Sequence, residues 1–519
     1  ALLSAIMSTA SGTLLAPSIT LTENILREMI PMNDKQLLLA TRIVVVLFAI
    51  AVTTFALYSQ GMPIYEMVGH SYKVPLVGAF VPLVMGLYWK RATTQGALAS
   101  VIGGLACWVL MEAYGSDSIW PPQFVGLLAA GFASVSLAWA QPASNALPTG
   151  GVVAQGAASV STSGAVMNIQ QSSPKAVLNW QSFDIGSAAR VNIVQPGADA
   201  VMLNRVTGAN PSQIFGQLSA NGQVVLVNPN GVLFGKDGSV SASSFTASTL
   251  GISDTNFMAG NLQFERNGSS AAVVNQGSIK ATGGYVALLG ASVSNEGRIE
   301  TNGGAALLGA AETVKVPLGS SGRIKLELTP SAINAAVSNS KDGTIVTHGG
   351  QVYMQAAALN TAVASIIQSG SVDTTGEQGG SVHLLADGGQ IKVDGSITAN
   401  STGKDDQNQP RKGGDIVIGR DEETGVLAKS TDVTGAELES RQGFVETSGQ
   451  HLDSLGVKVK SGEWLIDPTD VEITLDGTVA TVGNSGIKAG DIAAALSAGT
   501  SVTIATGTAG TSSSTSGVS

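Results

Sequence analysis

The sequence predicts a chain of two unlike regions: an all-β right-handed parallel β-helix over about residues 150–519, preceded by an all-α transmembrane helical segment over residues 1–140. Three observations predict it. Long apolar runs are confined to the N-terminal region, where they succeed one another with short connections. From Gln141 onward the apolar runs shorten to strand length and glycine becomes dense. Beyond Gln141 a unit with glycine at its corners also returns after twenty residues.

The N-terminal region begins with Ala1–Pro17, expected to be a membrane span whose start has been cut away. Leu37–Leu57 reads LLLATRIVVVLFAIAVTTFAL, about the twenty residues that cross a bilayer core. Further spans are expected over Val74–Trp89, Thr94–Met111 and Phe124–Ala140. Residues 1–140 carry six basic and six acidic side chains, leaving 21 basic and 31 acidic residues, and the whole net charge of −10, to the C-terminal region. Arg27, Lys35 and Arg42 flank one connection and Lys90 and Arg91 mark another, so these connections are expected to be cytoplasmic. The connections 59–63 and 115–123 have no Lys or Arg and are expected in the periplasm. Glu66, His70 and Lys73 read as an interfacial turn before the run that starts at Val74.

Two readings compete at the join. Phe124–Ala140 completes a helical bundle, or it is the apolar core of a signal peptide ending in Ala138-Trp139-Ala140, a cleavage pattern with small residues at Ala138 and Ala140. Pro121, Pro122 and Gln123 stand where a basic leader should be. The sequence therefore reads as two gene fragments joined within similar apolar helices, with a genuine fusion as the rival.

In the C-terminal region, Asn275-Gln276-Gly277-Ser278-Ile279 leads to Gly283-Gly284-Tyr285-Val286-Ala287-Leu288-Leu289-Gly290. Twenty residues on, Asn295-Glu296-Gly297-Arg298-Ile299 leads to Gly303-Gly304-Ala305-Ala306-Leu307-Leu308-Gly309. Looser copies begin at Asp342 and Gly370. Each unit is a short strand, a corner, a second strand and a second corner. No unit can bury its apolar residues alone, whereas units stacked about 4.8 Å apart share a continuous core. Val273, Ile279, Val286, Leu288, Val293, Ile299 and Leu307 are expected to point inward. Residues 404–412 read as a protruding loop, and the Thr/Ser/Gly-rich residues 507–519 as a stack cut off mid-coil.

Composition excludes several functions. An acidic surface poor in Lys and Arg repels phosphate backbones, so nucleic acid is not an expected partner. The lone cysteine, Cys107, lies in an apolar run, so disulfides cannot staple the β-region. The Gly231–Asp237 run is one residue too short for a phosphate loop and has Asp237 where a hydroxyl is needed. Calcium-binding repeats would need tandem copies of the isolated Asp387-Gly388-Gly389. His348, His383 and His451 have no partner at a metal or nucleophile spacing and read as solvated. Asp373, Glu377, Asp387 and Asp394 are too scattered for a glycan-cleaving pair. The chain is not expected to be an enzyme or to hold a cofactor. Asn267-Gly268-Ser269 and Asn400-Ser401-Thr402 are acceptor-type sequons at a frequency close to chance.

Two resemblances sharpen this reading. Leu178-Asn179-Trp180-Gln181-Ser182-Phe183-Asp184-Ile185-Gly186, Pro211-Ser212-Gln213-Ile214-Phe215-Gly216 and Asn228-Pro229-Asn230-Gly231-Val232-Leu233-Phe234-Gly235 resemble the secretion domain of filamentous haemagglutinin-like exoproteins of the two-partner secretion family. The run Trp464-Leu465-Ile466-Asp467-Pro468 is similar to one in such proteins. The resemblance implies a non-catalytic secretion domain over residues 141–400 and a truncated β-helical passenger over 401–519. It also implies an outer-membrane barrel transporter as partner, and the turn Asn228, Pro229, Asn230, Gly231 as secretion motif. Export would run through the periplasm to the cell surface or medium, with adhesion to host cells residing in missing passenger sequence. Physically, Pro229 fixes φ and Asn230 and Gly231 tolerate positive φ in a tight turn, which serves equally as a contact or as structure.

Ala1–Pro17, Val81–Arg91 and Gly96–Gly104 resemble the C-terminal spans of the sodium/solute symporter family. That resemblance implies an inner-membrane location, and it assigns the hydroxyls of Ser8 and Thr9 to a sodium site. The family's early broken helix is missing from this sequence, so the site is incomplete and the segment is not expected to transport alone. A symporter fragment, with the β-helix joined by a gene-level artefact, is the alternative reading of the whole chain.

Overall fold

The computed structural model describes residues 18–19, 22, 34–58, 73, 76–88, 94–114, 122–138, 141–317, 325–475 and 484–506. The chain divides into two compact units, 1–140 and 141–519.

In the first unit the helices are Asp34–Tyr58, Phe80–Tyr88, Thr94–Tyr114 and Pro122–Ala138. Among the described residues one stretch, Gln36–Thr54, is long and apolar enough to cross a membrane. Leu38, Leu39, Ile43, Val46, Leu47 and Ile50 on it are each more than half exposed. Its hydroxyls are satisfied within the helix, Thr41 donating to the Leu37 carbonyl at 2.9 Å and Thr54 to that of Ile50 at 2.8 Å. Of the expected span Val74–Trp89, residues 76–88 are described. A turn at Ala79 separates Leu76–Gly78 from Phe80–Tyr88. Pro82 has no N–H to offer the carbonyl one turn earlier, and the ladder resumes where Leu83 donates to Ala79 at 3.1 Å.

The second unit is a parallel β-helix with three stacks of short strands. The repeating coil is seen in Ala272–Asn275, Ser278–Ala281 and Val286–Gly290, followed by Ser292–Asn295, Arg298–Thr301 and Ala305–Ala310. Successive coils pair in register. One inward column runs Val232, Val273, Val293, Val337, Ile366, Ile391. Another runs Leu218, Val240, Ile279, Ile299, Ile345, Val372, Ile397, Leu438, Val459. A third runs Met202, Val224, Phe245, Val286, Ala306, Val352, Val382, Ile416, Val445, Trp464. Like side chains therefore sit on like, and almost all of these residues are sealed from solvent in one core. The stack continues past residue 400, through Glu437–Gly449 and Lys458–Pro468 to Ser501–Ile504. Residues 404–410 are exposed between strands Ser396–Thr398 and Asp415–Ile418.

The recurrent glycines are needed for close approach more than for positive φ. A Cβ on Gly304 would fall on the carbonyl of Gly284, one on Gly350 on that of Gly304, and one on Gly380 on that of Gly350. Only neighbouring corners such as Gly303, at φ 74°, take the left-handed conformation.

At another corner a column of buried amides runs along the axis. Asn275 Nδ2 donates to Asn295 Oδ1 at 2.8 Å, Asn295 Nδ2 to Asn339 Oδ1 at 2.7 Å, and Asn339 Nδ2 to Gln368 Oε1 at 2.9 Å. All four are fully buried. Replacing Asn295 by Leu strands a donor below it and an acceptor above it, at about 1–3 kcal/mol for each. Urea titration of residues 141–519 should show a midpoint shifted down by that sum divided by the slope, with the slope unchanged; an unchanged midpoint would show the column to be dispensable.

Six of the seven expected inward residues are inward, and Leu307 is the correction. Strand pairing sets Val286 against Ala306, Ala287 against Leu307 and Leu288 against Leu308, so Leu307 points outward. It is nevertheless fully buried, in a separate apolar cluster. That cluster forms because two insertions cover the outer side of this stack. One contributes the helix Asp254–Ala259 and strand Leu262–Glu265; the other contributes strands Thr313–Val316 and Glu327–Thr329. The three strands make their own antiparallel sheet. His383, expected to be solvated, lies on the covered side, 3% exposed and stacked on Tyr353 with ring centroids 4.6 Å apart. His348 is exposed with φ 50°, and His451 faces Asp453 at 3.2 Å.

At its N-terminal end the stack is closed by antiparallel strands. Val152–Gln155 pairs with Lys175–Trp180, and Ala158–Ser163 with Val166–Gln171.

Candidate recognition turn

The residues Asn228-Pro229-Asn230-Gly231 carry the chain from strand Gln223–Val227 to strand Val232–Phe234. The Gly231 N–H donates to the Asn228 carbonyl at 3.1 Å and closes the turn. Asn228 is fully buried. Its Nδ2 donates to the Asn210 carbonyl and to Ser212 Oγ, both at 3.0 Å. Its Oδ1 accepts from the Asn230 N–H at 3.0 Å and from Asn230 Nδ2 at 3.2 Å. Asn230 Nδ2 also donates to the Gly208 carbonyl at 2.8 Å, and Ser269 Oγ donates to the Pro229 carbonyl at 2.6 Å. The turn is thereby tied to the coil before it and to the insertion after it.

Gly231 has φ +125°, but Asn230 does not take positive φ. The expectation for Asn230 is corrected: it occupies the turn's third position through its side-chain amide, not through backbone tolerance. Pro229 and Asn230 are exposed while Asn228 and Gly231 are buried. Of the four residues, only Pro229 and Asn230 are open to solvent.

The three motif segments converge here. Within 178–186, Leu178, Trp180, Phe183 and Ile185 are buried; Trp180 meets Phe183 edge-on at 5.5 Å, and its Nε1 donates to Asn204 Oδ1 at 3.0 Å. Asp184 Oδ1 accepts from the Gln213 N–H at 2.8 Å. Burial pushes the Asp184 carboxyl above its usual range, and that hydrogen bond only partly pulls it back. Ser212–Ile214 then pairs with Val232–Phe234, which places Ser212 beside Asn228. Asn210, Ser212, Gly208 and Ser269 are partners of the turn that sequence reasoning missed: Ser212 lies in a motif segment and Ser269 in a sequon, but nothing local ties either to the turn.

Next to the turn lies a cleft of about 450 Å³ lined by Arg205, Pro229, Ile252, Asn256, Gln263 and Glu265, among others. Arg205 is held there by Asp254 at 2.6 Å and by the Ile252 carbonyl at 2.7 Å. At the other end of the stack, Trp464 is fully buried with Nε1 donating to Thr447 Oγ1 at 3.0 Å, and Asp467 pairs with Arg420 at 2.7 Å. Ser8, Thr9 and Ala140 lie outside the described residues, as do Glu66 and His70; Ala138 ends the helix Pro122–Ala138. Among the described residues no group of three or more His, Cys, Asp or Glu could hold a metal ion.

Residues 144–398 match the family model of the TPS secretion domain, and residues 1–104 that of the sodium:solute symporter family. The heme/hemopexin-binding protein of Haemophilus influenzae is 37% identical over 223 residues, 41% of this chain and 23% of that protein. The sodium/proline symporter of the same organism is 31% identical over 142 residues, 27% of each chain. The chain thus spans about a quarter of the length of these relatives. The crystal structure of the HMW1 secretion domain from Haemophilus influenzae aligns with 69% of this chain and 100% of its own, at 25% identity and a TM-score of 0.48. With Asn228–Gly231 and the two other motif segments gathered on one parallel stack, the chain carries a two-partner secretion domain over residues 144–398, and over residues 1–104 a segment of the sodium:solute symporter family.

Proposed function

We propose that residues 141–400 are the secretion domain of an exported, adhesin-type protein, recognised by an outer-membrane barrel transporter and serving as the template on which the later coils, from residue 401 onward, fold. The polarity of the stack carries this reading. Antiparallel strands close its N-terminal end, whereas parallel register runs from there to Ser501–Ile504, so coils can be added in the order in which the chain emerges. Such a stack needs only contacts between neighbouring coils, without disulfides, to fold as it leaves a pore. The module works by binding and folding, and no catalytic step is assigned to it.

The test is export. Residues 141–519 behind an intact signal peptide, in a bacterium producing the cognate transporter, should reach the medium. Retention in the periplasm with the transporter present would overturn the reading.

For residues 1–140 the exposed apolar surface of Gln36–Thr54 favours a different assignment, insertion in the inner membrane. As a segment of a symporter it would supply the hydroxyls of Ser8 and Thr9 to a sodium site.

A further inference from the structure

In a stack of repeats each coil touches only its neighbours, so the coils can open independently of those farther away. The two insertions that cover the outer face break that rule. Their first segment is fastened to the earliest coils: Lys175 Nζ donates to the Met258 carbonyl at 2.8 Å, and Arg205 binds Asp254 and the Ile252 carbonyl. Strand Leu262–Glu265 then pairs with Thr313–Val316, and that strand with Glu327–Thr329. Arg266 reinforces the junction by donating to Ser331 Oγ at 2.6 Å and pairing with Glu312 at 3.4 Å. At the far end, Gln355 Oε1 accepts from the Leu326 N–H at 2.9 Å. Lys325 Nζ is clasped by both Asp421 oxygens at 2.8 Å and by Glu423 at 2.9 Å.

We infer that these insertions form a longitudinal brace that makes the coils from Lys175 to Glu423 open and close as one unit. The covered face explains why a brace is needed. Its outward column runs Val177, Leu203, Val225, Thr246, Ala287, Leu307, Tyr353, and most of these side chains are apolar enough to demand cover. The cover is itself apolar, through Phe257, Leu262, Phe264, Val314, Val316 and Leu326. Gly309 leaves the space over which Leu326 sits, since a Cβ there would collide with the leucine's Cδ1. The clasp residues Asp421 and Glu423 lie beyond residue 398, where the family match ends. The cooperative unit is therefore longer than the matched domain. On the secretion reading, neighbouring coils stack as the chain emerges, and the brace locks them into one unit only once Asp421 is outside.

Peptide-resolved hydrogen exchange of the full chain in detergent micelles tests the brace without reference to export. Lys325→Met should raise exchange at least tenfold not only in Glu327–Thr329 and Asp415–Ile418 but also in the distant strand Lys175–Trp180. Arg205→Met should do the converse, raising exchange in Asp415–Ile418. Lys325→Arg, which keeps the charge, should restore most of the protection. Arg420→Met removes a nearby ion pair that does not belong to the brace, and its effect should stay within adjoining coils. Exchange that rises only in the coils next to Lys325 and Arg205 would overturn the inference, as would equal long-range effects from Arg420→Met.

Discussion

Replacing Asn228 and Asn230 together by isoleucine is expected to abolish export by a cognate transporter. The two residues contribute differently, and the single variants separate them. Asn228 is buried, and its side chain makes hydrogen bonds to Asn210, Ser212 and Asn230. Asn228→Ile leaves those groups stranded, at about 1–3 kcal/mol each, which is a large share of a domain's stability. It should therefore lower both the urea midpoint and the amount secreted. Asn230 is exposed and loses mainly its bond to the Gly208 carbonyl, at about 1 kcal/mol. If Asn230→Ile stops secretion while the folded domain remains nearly as stable, the exposed Pro229-Asn230 edge is a contact surface for the transporter. If secretion follows stability in both variants, the turn acts through the fold alone. Secretion at the wild-type rate with both residues replaced would show that neither matters.

A reporter active only in the periplasm, fused after Gly150 of the full chain, should give no signal. The reason is charge. Lys90 and Arg91 hold the connection before Thr94–Tyr114 on the cytoplasmic side, and residues 115–123 have no positive charge and bear Asp117. With Thr94–Tyr114 crossing outward, Pro122–Ala138 crosses inward and delivers Gln141 to the cytoplasm. A cleavable signal peptide needs the opposite orientation, with its C-terminal end in the periplasm. The same reporter should become active when residues 124–150 follow a short Lys-rich leader, because the leader reverses the preference of that helix. Strong periplasmic activity from the intact chain would mean that the two regions work as a genuine fusion.

The division near Gln141, the three-motif signature and the coil period are all legible in the residues alone. Each of these is a local property. Apolar run length, glycine density and spacing do not depend on what a segment later touches. The twenty-residue repeat also places Val273, Ile279, Val286, Leu288, Val293 and Ile299 in the core, because repeats of this kind stack like on like. The direction of Leu307 is not legible in the same way, because adjacent residues at 305–308 are all apolar and alternation cannot say which of them points inward. Strand pairing with Val286–Gly290 is what sets its direction.

What covers the outer face is likewise a matter of contacts distant in sequence. Leu307 is buried under insertions and His383 against Tyr353, and the bonds fastening the insertions join residues as far apart as Lys325 and Asp421. The same holds for the turn. The pattern Asn-Pro-Asn-Gly announces a reversal, but the role of Asn228 depends on Asn210 and Ser212 being brought beneath it by the preceding coil. Local chemistry set the period and the corners; contacts across coils set which face is wet and which amide is structural.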